Sequence, residues 1–294
     1  MLRVILFLNG DRGISILKFL LKQNLIQILA VVTLKNFKNK LLIKISNSNK
    51  LVILKTDNVN SLSFLNKLKK MKSNLFVIGG FPTIFNQKII DIPKYGVLNA
   101  HAGKLPQYRG GSPLNWQIIN GEKNFGISVI KINKKIDQGN IITQKKFRIF
   151  KKDNIFTLHN KANKYFPILI YDAINKVFKN YKGIKQKDNL SKYWHQRKDK
   201  DGKIDLNKMK IHEIQNLIRG VTRPYPGAFL YIKNTKIRIF KVSVSKIKTT
   251  CKIGTILFIK NNGPYLKCKN GLLLIKSYFI ENKNVKLNNN NILK

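Results

Sequence analysis

Three residues of this chain are well suited to chemistry on a carbonyl group: Asn99, His101 and Asp137. Asn99-Ala100-His101 follows an apolar run directly, and Ile136-Asp137-Gln138-Gly139 lies within forty residues of it. Between them stands Leu105-Pro106-Gln107-Tyr108-Arg109-Gly110. An amine attacking a carbonyl carbon passes through a tetrahedral intermediate, which needs an oxyanion donor and a proton acceptor. Asn99 can donate an amide N–H to that oxygen. Asp137 can take the amine proton, directly or through water. A cationic His101 would stabilise the same oxygen, and Asp137 would favour that cation. In an extended segment, residues two apart share a face, so Asn99 and His101 can work together. Taken alone, an Asn-x-His after a strand is most often structural, and an Asp-x-Gly is usually a turn. Together with Leu-Pro-x-Tyr-Arg-Gly they point to acyl-type transfer onto an amine.

These residues need a scaffold that brings them to one edge. Residues 2–8 form a near-continuous apolar run ending at Gly10 and Gly13, which predicts a buried parallel strand and a turn. Residues 14–21 then show helical spacing. Further strands are expected at 25–32, 50–54 and 74–78, with a helix at 61–71. Alternating strands and helices predict an α/β fold, a Rossmann-like doubly wound parallel sheet. Such sheets bind ligands at the carboxyl ends of their strands, where Gly79-Gly80-Phe81-Pro82 and Asn99-Ala100-His101 fall. A long amphipathic helix is expected over 156–178. The polar stretch 179–203 reads as a connection. Five short β runs at 229–232, 237–244, 253–259, 265–268 and 272–279 predict a small C-terminal β-barrel, OB-like in character. The Asn- and Lys-rich residues 282–294 read as frayed. The expected organisation is a catalytic domain over 1–185, a linker over 186–203 and the barrel over 204–294.

Composition narrows the setting. At 294 residues the chain has room for two domains, and 43% hydrophobic content supplies a core. The net charge of +44 invites a nucleic-acid reading. Yet the excess is Lys, spread with Asn and Ile through every segment, as coding bias would spread it. A dedicated surface would concentrate its charge. On either account the expected substrates are anionic. Two cysteines, Cys251 and Cys268, have no Cys-x-x-Cys spacing, which suits a reduced, cytoplasmic protein. His159, His195 and His212 lack ligand spacing, so no metal is expected. The apolar stretch 14–32 is broken by Lys18, Lys22, Gln23 and Asn24, and the first apolar run is too short for a signal peptide core. No P-loop and no Gly-x-Gly-x-x-Gly is present. Gly10-Asp11-Arg12-Gly13 reads as a strand-to-helix turn.

The motifs at Asn99–His101, 105–110 and 136–139, with Arg219-Gly220-Val221-Thr222-Arg223-Pro224-Tyr225-Pro226-Gly227-Ala228-Phe229, resemble the 10-formyltetrahydrofolate-dependent formyltransferases. That family includes methionyl-tRNA formyltransferase, glycinamide ribonucleotide formyltransferase and amino-sugar formyltransferases. The resemblance covers nearly the whole chain, most strongly 75–145 and 203–230. It implies that Asn99, His101 and Asp137 are the catalytic residues and that 10-formyltetrahydrofolate is the co-substrate. The implied folate pocket lies beside 80–85 and the 136–139 loop, making Phe81, Ile84 and Ile136 candidate contacts. Ordinary strand-end packing explains those three equally well. Arg109 and Asn115 are candidate acceptor contacts, Arg109 equally a loop anchor. Gly111-Ser112-Pro113-Leu114-Asn115-Trp116 is similar to the sugar enzymes, especially the one acting on UDP-aminoarabinose, although Gly111 replaces an arginine there. The tRNA enzymes carry a long basic loop after the second strand, whereas 33–51 is short, with Lys35, Lys38, Lys40 and Lys44. The resemblance therefore favours a nucleotide-linked amino sugar as acceptor over initiator tRNA. A basic RNA-binding protein with a relic active site is the alternative from another class. Oligomeric state is not legible.

Overall fold

The computed structural model of the chain describes residues 1–36, 39–259, 262–282 and 284–294. The chain divides into two compact units: 1–113, 126–147 and 160–194 form the first, and 114–125, 148–159 and 195–294 the second.

The first unit is built on β1 (Leu2–Leu8), α1 (Gly10–Leu20), β2 (Ile26–Leu34), α2 (Lys40–Ser48), β3 (Val52–Thr56), α3 (Leu62–Lys70), β4 (Leu75–Gly79), α4 (Gln87–Ile90) and β5 (Val97–His101). After a short strand β6 (Arg109–Gly110) and helix α5 (Pro113–Ile119), β7 (Asn124–Lys131) and β8 (Asn140–Arg148) complete the sheet. Its strand order is β3-β2-β1-β4-β5-β7-β8. The first five strands pair in parallel, as the doubly wound pattern predicts. β5 pairs antiparallel with β7, so the sheet is mixed beyond β5. β1 is buried along nearly all its length because helices cover both faces of a parallel sheet. Phe7 anchors the core, its ring centroid 5.3 Å from Phe76 and 4.8 Å from Phe85. α1 begins at Gly10, four residues before the first periodic apolar position, so Gly10-Asp11-Arg12-Gly13 is its first turn. Gly13 is required there: a Cβ would stand 2.9 Å from the Leu8 Cβ. β3 starts two residues later than the strand expected from residue 50, because Lys50 turns the chain at φ 52°. Part of the 33–51 segment is helical, as α2; its Lys38 lies outside the described residues. α6 (Ile155–Phe178) spans both units, and β9 (Tyr193–Trp194) ends the first. Among the described residues no helix is long and apolar enough to cross a membrane.

The second unit packs α7 (Ile211–Val221) on β10 (Ala228–Ile232), β11 (Thr235–Ser245), β12 (Ile256–Ile259), β13 (Asn262–Cys268) and β14 (Gly271–Ile280). The five strands form an antiparallel sheet in the order β10-β11-β14-β13-β12. α7 buries Ile214, Leu217, Ile218 and Val221, the one-face spacing of an amphipathic helix. Each such side chain contributes roughly 1.5–3 kcal/mol on removal from water. Cys268 lies in this core, where burial pushes its thiol up to about 12, so it stays protonated. Both cysteines are free.

The frayed-tail expectation is corrected. Residues 290–294 are not a strand, but they run against β12 with an isolated antiparallel bridge between Thr255 and Ile292. Ile256 N donates to the Asn291 carbonyl at 2.7 Å and Leu293 N to the Gly254 carbonyl at 2.9 Å. Lys294 and Tyr231 exchange backbone hydrogen bonds at 2.7 and 2.8 Å. The tail thus joins the β12 edge to the β10 edge and closes the sheet. Its polar composition hid this, because among its described residues Leu287 and Leu293 are buried in the core and Val285 packs against it, too few for a strand pattern. Leu293→Ala is expected to cost about 2–5 kcal/mol, as for other buried leucines. Urea unfolding followed on the second unit measures it; a loss under about 0.5 kcal/mol, the usual surface effect, would mean the tail does not close the barrel.

Candidate active site

The site grows from the carboxyl end of β5, at the edge where open α/β sheets bind ligands. Asn99 and His101 alternate with Ala100 and so share one face of the strand. Asn99 is half-buried, and its carboxamide makes no hydrogen bond among the described residues. The Arg12 guanidinium, from the first turn of α1, donates to the Ala100 carbonyl at 3.2 Å and covers the Phe166 ring at 4.7 Å. It braces β5 between the two functional positions.

His101 is buried, and its Nε2 lies 2.6 Å from the Tyr108 carbonyl oxygen. A carbonyl only accepts, so Nε2 carries the proton. Nδ1 then faces the Asp137 Oδ1 at 3.4 Å, with the two side chains only 6% and 12% exposed. A bare Nδ1 and a carboxylate would repel; a proton held between them turns this into an attraction, strengthened by the low local dielectric. Both ring nitrogens are engaged. As placed, both ring nitrogens face groups of the protein itself, while the Asn99 carboxamide makes no such contact among the described residues.

Asp137 sits in a loop after β7 with φ 52°, a left-handed conformation that Asp tolerates. Its Oδ2 accepts the Gly110 N–H at 2.9 Å. Tyr108 therefore holds the imidazole and Gly110 holds the carboxylate, through backbone groups two residues apart. This is the physical content of Leu-Pro-x-Tyr-Arg-Gly: a cradle for the His–Asp pair. Gly139 closes the loop where a Cβ would collide with the Lys131 carbonyl. The loop bearing Tyr108 is fixed in turn: Ser128 Oγ donates to the Gly103 carbonyl at 2.7 Å, and Gln144 Nε2 to the Leu105 carbonyl at 3.0 Å.

Gln186 is a positioning residue that the sequence reading left inside the connecting segment. Its Nε2 donates to the Asp137 carbonyl at 2.8 Å and the Gly139 carbonyl at 2.7 Å. Its Oε1 accepts from Arg109 Nε at 3.0 Å, and Arg109 Nη2 reaches Asp188 Oδ1 at 2.9 Å. Arg109 is 5% exposed, so its charge is used as a loop anchor. Alongside, β9 pairs in parallel with β6, and Trp194 stacks on Tyr108 at 5.6 Å and 9°. Nothing in single-sequence spacing ties 186–194 to 108–110; only the paired strands reveal it.

The remaining candidates are dispersed. Phe81 is buried with its ring 5.7 Å from Phe7, a core position. Ile84 and Ile136 are exposed apolar residues, 66% and 43% accessible. A cleft of about 610 Å³ opens between Gln87, at the start of α4, and the loop residues Lys135 and Gln138 beside Asp137. Of the two expected folate-side segments, the 136–139 loop contributes Gln138 to its lining, and the residues near 80–85 contribute only Gln87. Asn115 is buried in the second unit, where its Nδ2 donates to the Gly220 carbonyl at 2.7 Å. No cluster of three metal-ligating side chains occurs among the described residues.

With this geometry in place, comparisons with known proteins are informative. Residues 4–174 match the formyl transferase family and residues 197–290 the formyl transferase C-terminal domain. The bifunctional polymyxin resistance protein ArnA of Wigglesworthia glossinidia brevipalpis is 37% identical over 259 residues, 85% of this chain. The chain spans 38% of that protein's length. The methionyl-tRNA formyltransferase of Malacoplasma penetrans is 34% identical over 220 residues, 74% of this chain and 69% of that one. The sugar 3N-formyl transferase WlaRD, solved with dTDP and 5-N-formyl-THF, shares the fold at TM-score 0.68 and 23% identity, covering 96% of this chain and 99% of that one. So does a Helicobacter canadensis N-formyltransferase solved with folinic acid and dTDP-3-aminofucose, at TM-score 0.68 and 21% identity, covering 95% and 100%.

Removing the Gln186 amide frees the Asp137 loop without touching a reacting group. Gln186→Ala is expected to lower kcat by up to roughly 10²-fold with little change in the KM of either substrate. Steady-state kinetics on the folded variant checks this; a raised KM at unchanged kcat would assign Gln186 to substrate binding instead.

Proposed function

We infer what this site does from one premise: the chain belongs to the formyl transferase family, in both its N-terminal and C-terminal parts. It is an enzyme of formyl transfer, and the family's co-substrate is 10-formyltetrahydrofolate. Asn99, His101 and Asp137 are proposed to carry the reaction. The observation behind this reading is the buried His101–Asp137 contact at 3.4 Å, with Asn99 on the same strand face as His101.

Asn99 donates its amide N–H to the formyl oxygen as the attacking amine forms the new C–N bond and charge gathers on that oxygen. Asp137 accepts a proton from the amine, directly or through one water. His101 stands beside the carboxylate and stabilises the charge through the intermediate. Collapse re-forms the carbonyl and breaks the bond to the folate nitrogen, which leaves with a proton. The cleft beside the Asp137 loop is proposed to take the folate; its lining includes Lys135 and Gln138, which flank Ile136 and Asp137 in the chain. The catalytic domain is taken as 1–185, the connection as 186–203 and the barrel as 204–294.

The acceptor is proposed to be the primary amine of a nucleotide-linked amino sugar, in a cytoplasmic setting. The short 33–51 segment supports this, because it offers little to reach along an acceptor stem. Similarity to ArnA at 37% identity also supports it. Initiator methionyl-tRNA is the second reading, favoured by the Malacoplasma relative and by the +44 charge.

A formyl-transfer assay with 10-formyltetrahydrofolate against amino-sugar nucleotides and Met-tRNA decides between them. An amino-sugar nucleotide is expected to turn over at physiological salt, where binding to tRNA by phosphate neutralisation alone weakens to about 10⁻⁴–10⁻⁶ M. Efficient formylation of Met-tRNA with no sugar turnover would reverse the order. Asn99→Ala, His101→Ala and Asp137→Ala should each cut turnover by roughly 10² or more, and the losses should not add. Near-normal turnover in His101→Ala would remove it from the machinery.

A further inference from the structure

The peptide that grips the Asp137 carboxylate is aimed and covered by β9. Arg109 N donates to the Lys192 carbonyl at 3.0 Å, and Gly111 N to the Trp194 carbonyl at 2.8 Å. Successive backbone N–H groups of an extended strand point to opposite sides. With those of Arg109 and Gly111 turned toward β9, the Gly110 N–H points away from it, and it reaches Asp137 Oδ2 at 2.9 Å. The pairing of β6 with β9 therefore directs a donor at the carboxylate.

Tyr193 supplies the cover. A Cβ on Gly110 would stand 2.9 and 3.0 Å from the Tyr193 ring carbons Cε2 and Cζ, and would collide with the Trp194 carbonyl oxygen. The ring thus lies against the Gly110 α-carbon, in the space a side chain would need. Core packing does not account for it, because Tyr193 is 60% exposed and removes little apolar area from water. A polar anchor does not account for it either, because its hydroxyl makes no hydrogen bond among the described residues. The consequence of its position is exclusion of water from the Gly110 peptide. A hydrogen bond to a carboxylate is stronger in a low local dielectric, and water that reaches it competes for both partners. We propose that Tyr193 is a positioning residue whose ring seals the Gly110–Asp137 hydrogen bond from water. The seal fixes the direction in which the carboxylate meets the attacking amine. The proposal rests on the reading of Asp137 as the proton acceptor of formyl transfer.

Amide hydrogen exchange of the full chain, followed by nitrogen-15 NMR on labelled glycine, tests the seal. Steady-state formylation of the acceptor selected by the transfer assay, amino-sugar nucleotide or Met-tRNA, tests its consequence. In Tyr193→Ala the Gly110 amide is expected to exchange roughly 10-fold faster, because water gains access to it. The same variant should lose roughly 10-fold in kcat, with each KM within about 2-fold of the unaltered chain. Tyr193→Phe keeps the ring and should match the unaltered chain in both measurements. The Gly13 amide, bonded to the Asn9 carbonyl at 3.1 Å, should keep its rate in both variants. An unchanged Gly110 rate in Tyr193→Ala overturns the seal. Equal acceleration at Gly13 overturns it too, because the variant is then loosened throughout. Loss of kcat in Tyr193→Phe overturns it by giving the role to the hydroxyl. A raised acceptor KM at unchanged kcat overturns it by making the ring a substrate contact. A faster Gly110 amide with kcat and KM unchanged overturns the positioning role and leaves the reading of the site intact. Near-normal turnover in Asp137→Ala overturns that reading, and the positioning role with it.

Discussion

Two backbone groups, the Tyr108 carbonyl and the Gly110 N–H, govern the geometry of the whole site. One accepts a hydrogen bond from His101 Nε2 at 2.6 Å and the other donates to the Asp137 carboxylate at 2.9 Å. They lie on the same short stretch of chain, so a single loop sets both the ring and the acid. Backbone groups have no rotamers to relax, and the pair they hold is nearly dry. Breaking either contact would leave a buried polar group uncompensated, which costs more than the bond contributes when made. The His101–Asp137 pair is therefore already aligned in the protein without a ligand to organise it.

Much of the first unit serves to keep that loop still. β5 delivers His101 at the carboxyl edge of the sheet, with Arg12 bracing Ala100 from the first turn of α1. The antiparallel β7 leads the chain back and out to Asp137. Gln186 ties the Asp137 turn to Arg109, and the β6–β9 pair with the Tyr108–Trp194 stack secures the other side. A segment whose composition is that of a linker thus carries positioning contacts. Gln186, itself bonded to Arg109, helps set where the Asp137 carboxylate stands.

The parts legible in the sequence are those governed by local periodicity. The apolar runs of β1, β2 and β4, the helical stripe of α1 and the five short strands of the second unit all fall close to their expected places. Buried side chains recur every second or every third to fourth residue, and the pattern shows it. The Asn99–His101 face followed from the same two-residue rule. What stayed hidden depends on contacts between distant segments. The antiparallel turn of the sheet at β7, the docking of 186–194 and the closure of the barrel by 290–294 are all of this kind. In the last case Val285, Leu287 and Leu293 make the core contacts of a polar tail, too few to read as a strand. Arg109 and Asn115, candidate acceptor contacts by resemblance, are buried and bonded within the protein, Arg109 to Gln186 and Asp188 and Asn115 to the Gly220 carbonyl.

The central claim is that His101 is held in one protonation pattern by its two neighbours, and ring nitrogen shifts report that directly. Nitrogen-15 NMR of the histidine-labelled chain is expected to show His101 Nε2 bearing a proton in the resting enzyme, because it donates to a carbonyl. Asp137→Asn should perturb Nδ1 and leave Nε2 protonated. A resting ring with its proton on Nδ1 and a bare Nε2 would contradict the cradle and, with it, this account of the site.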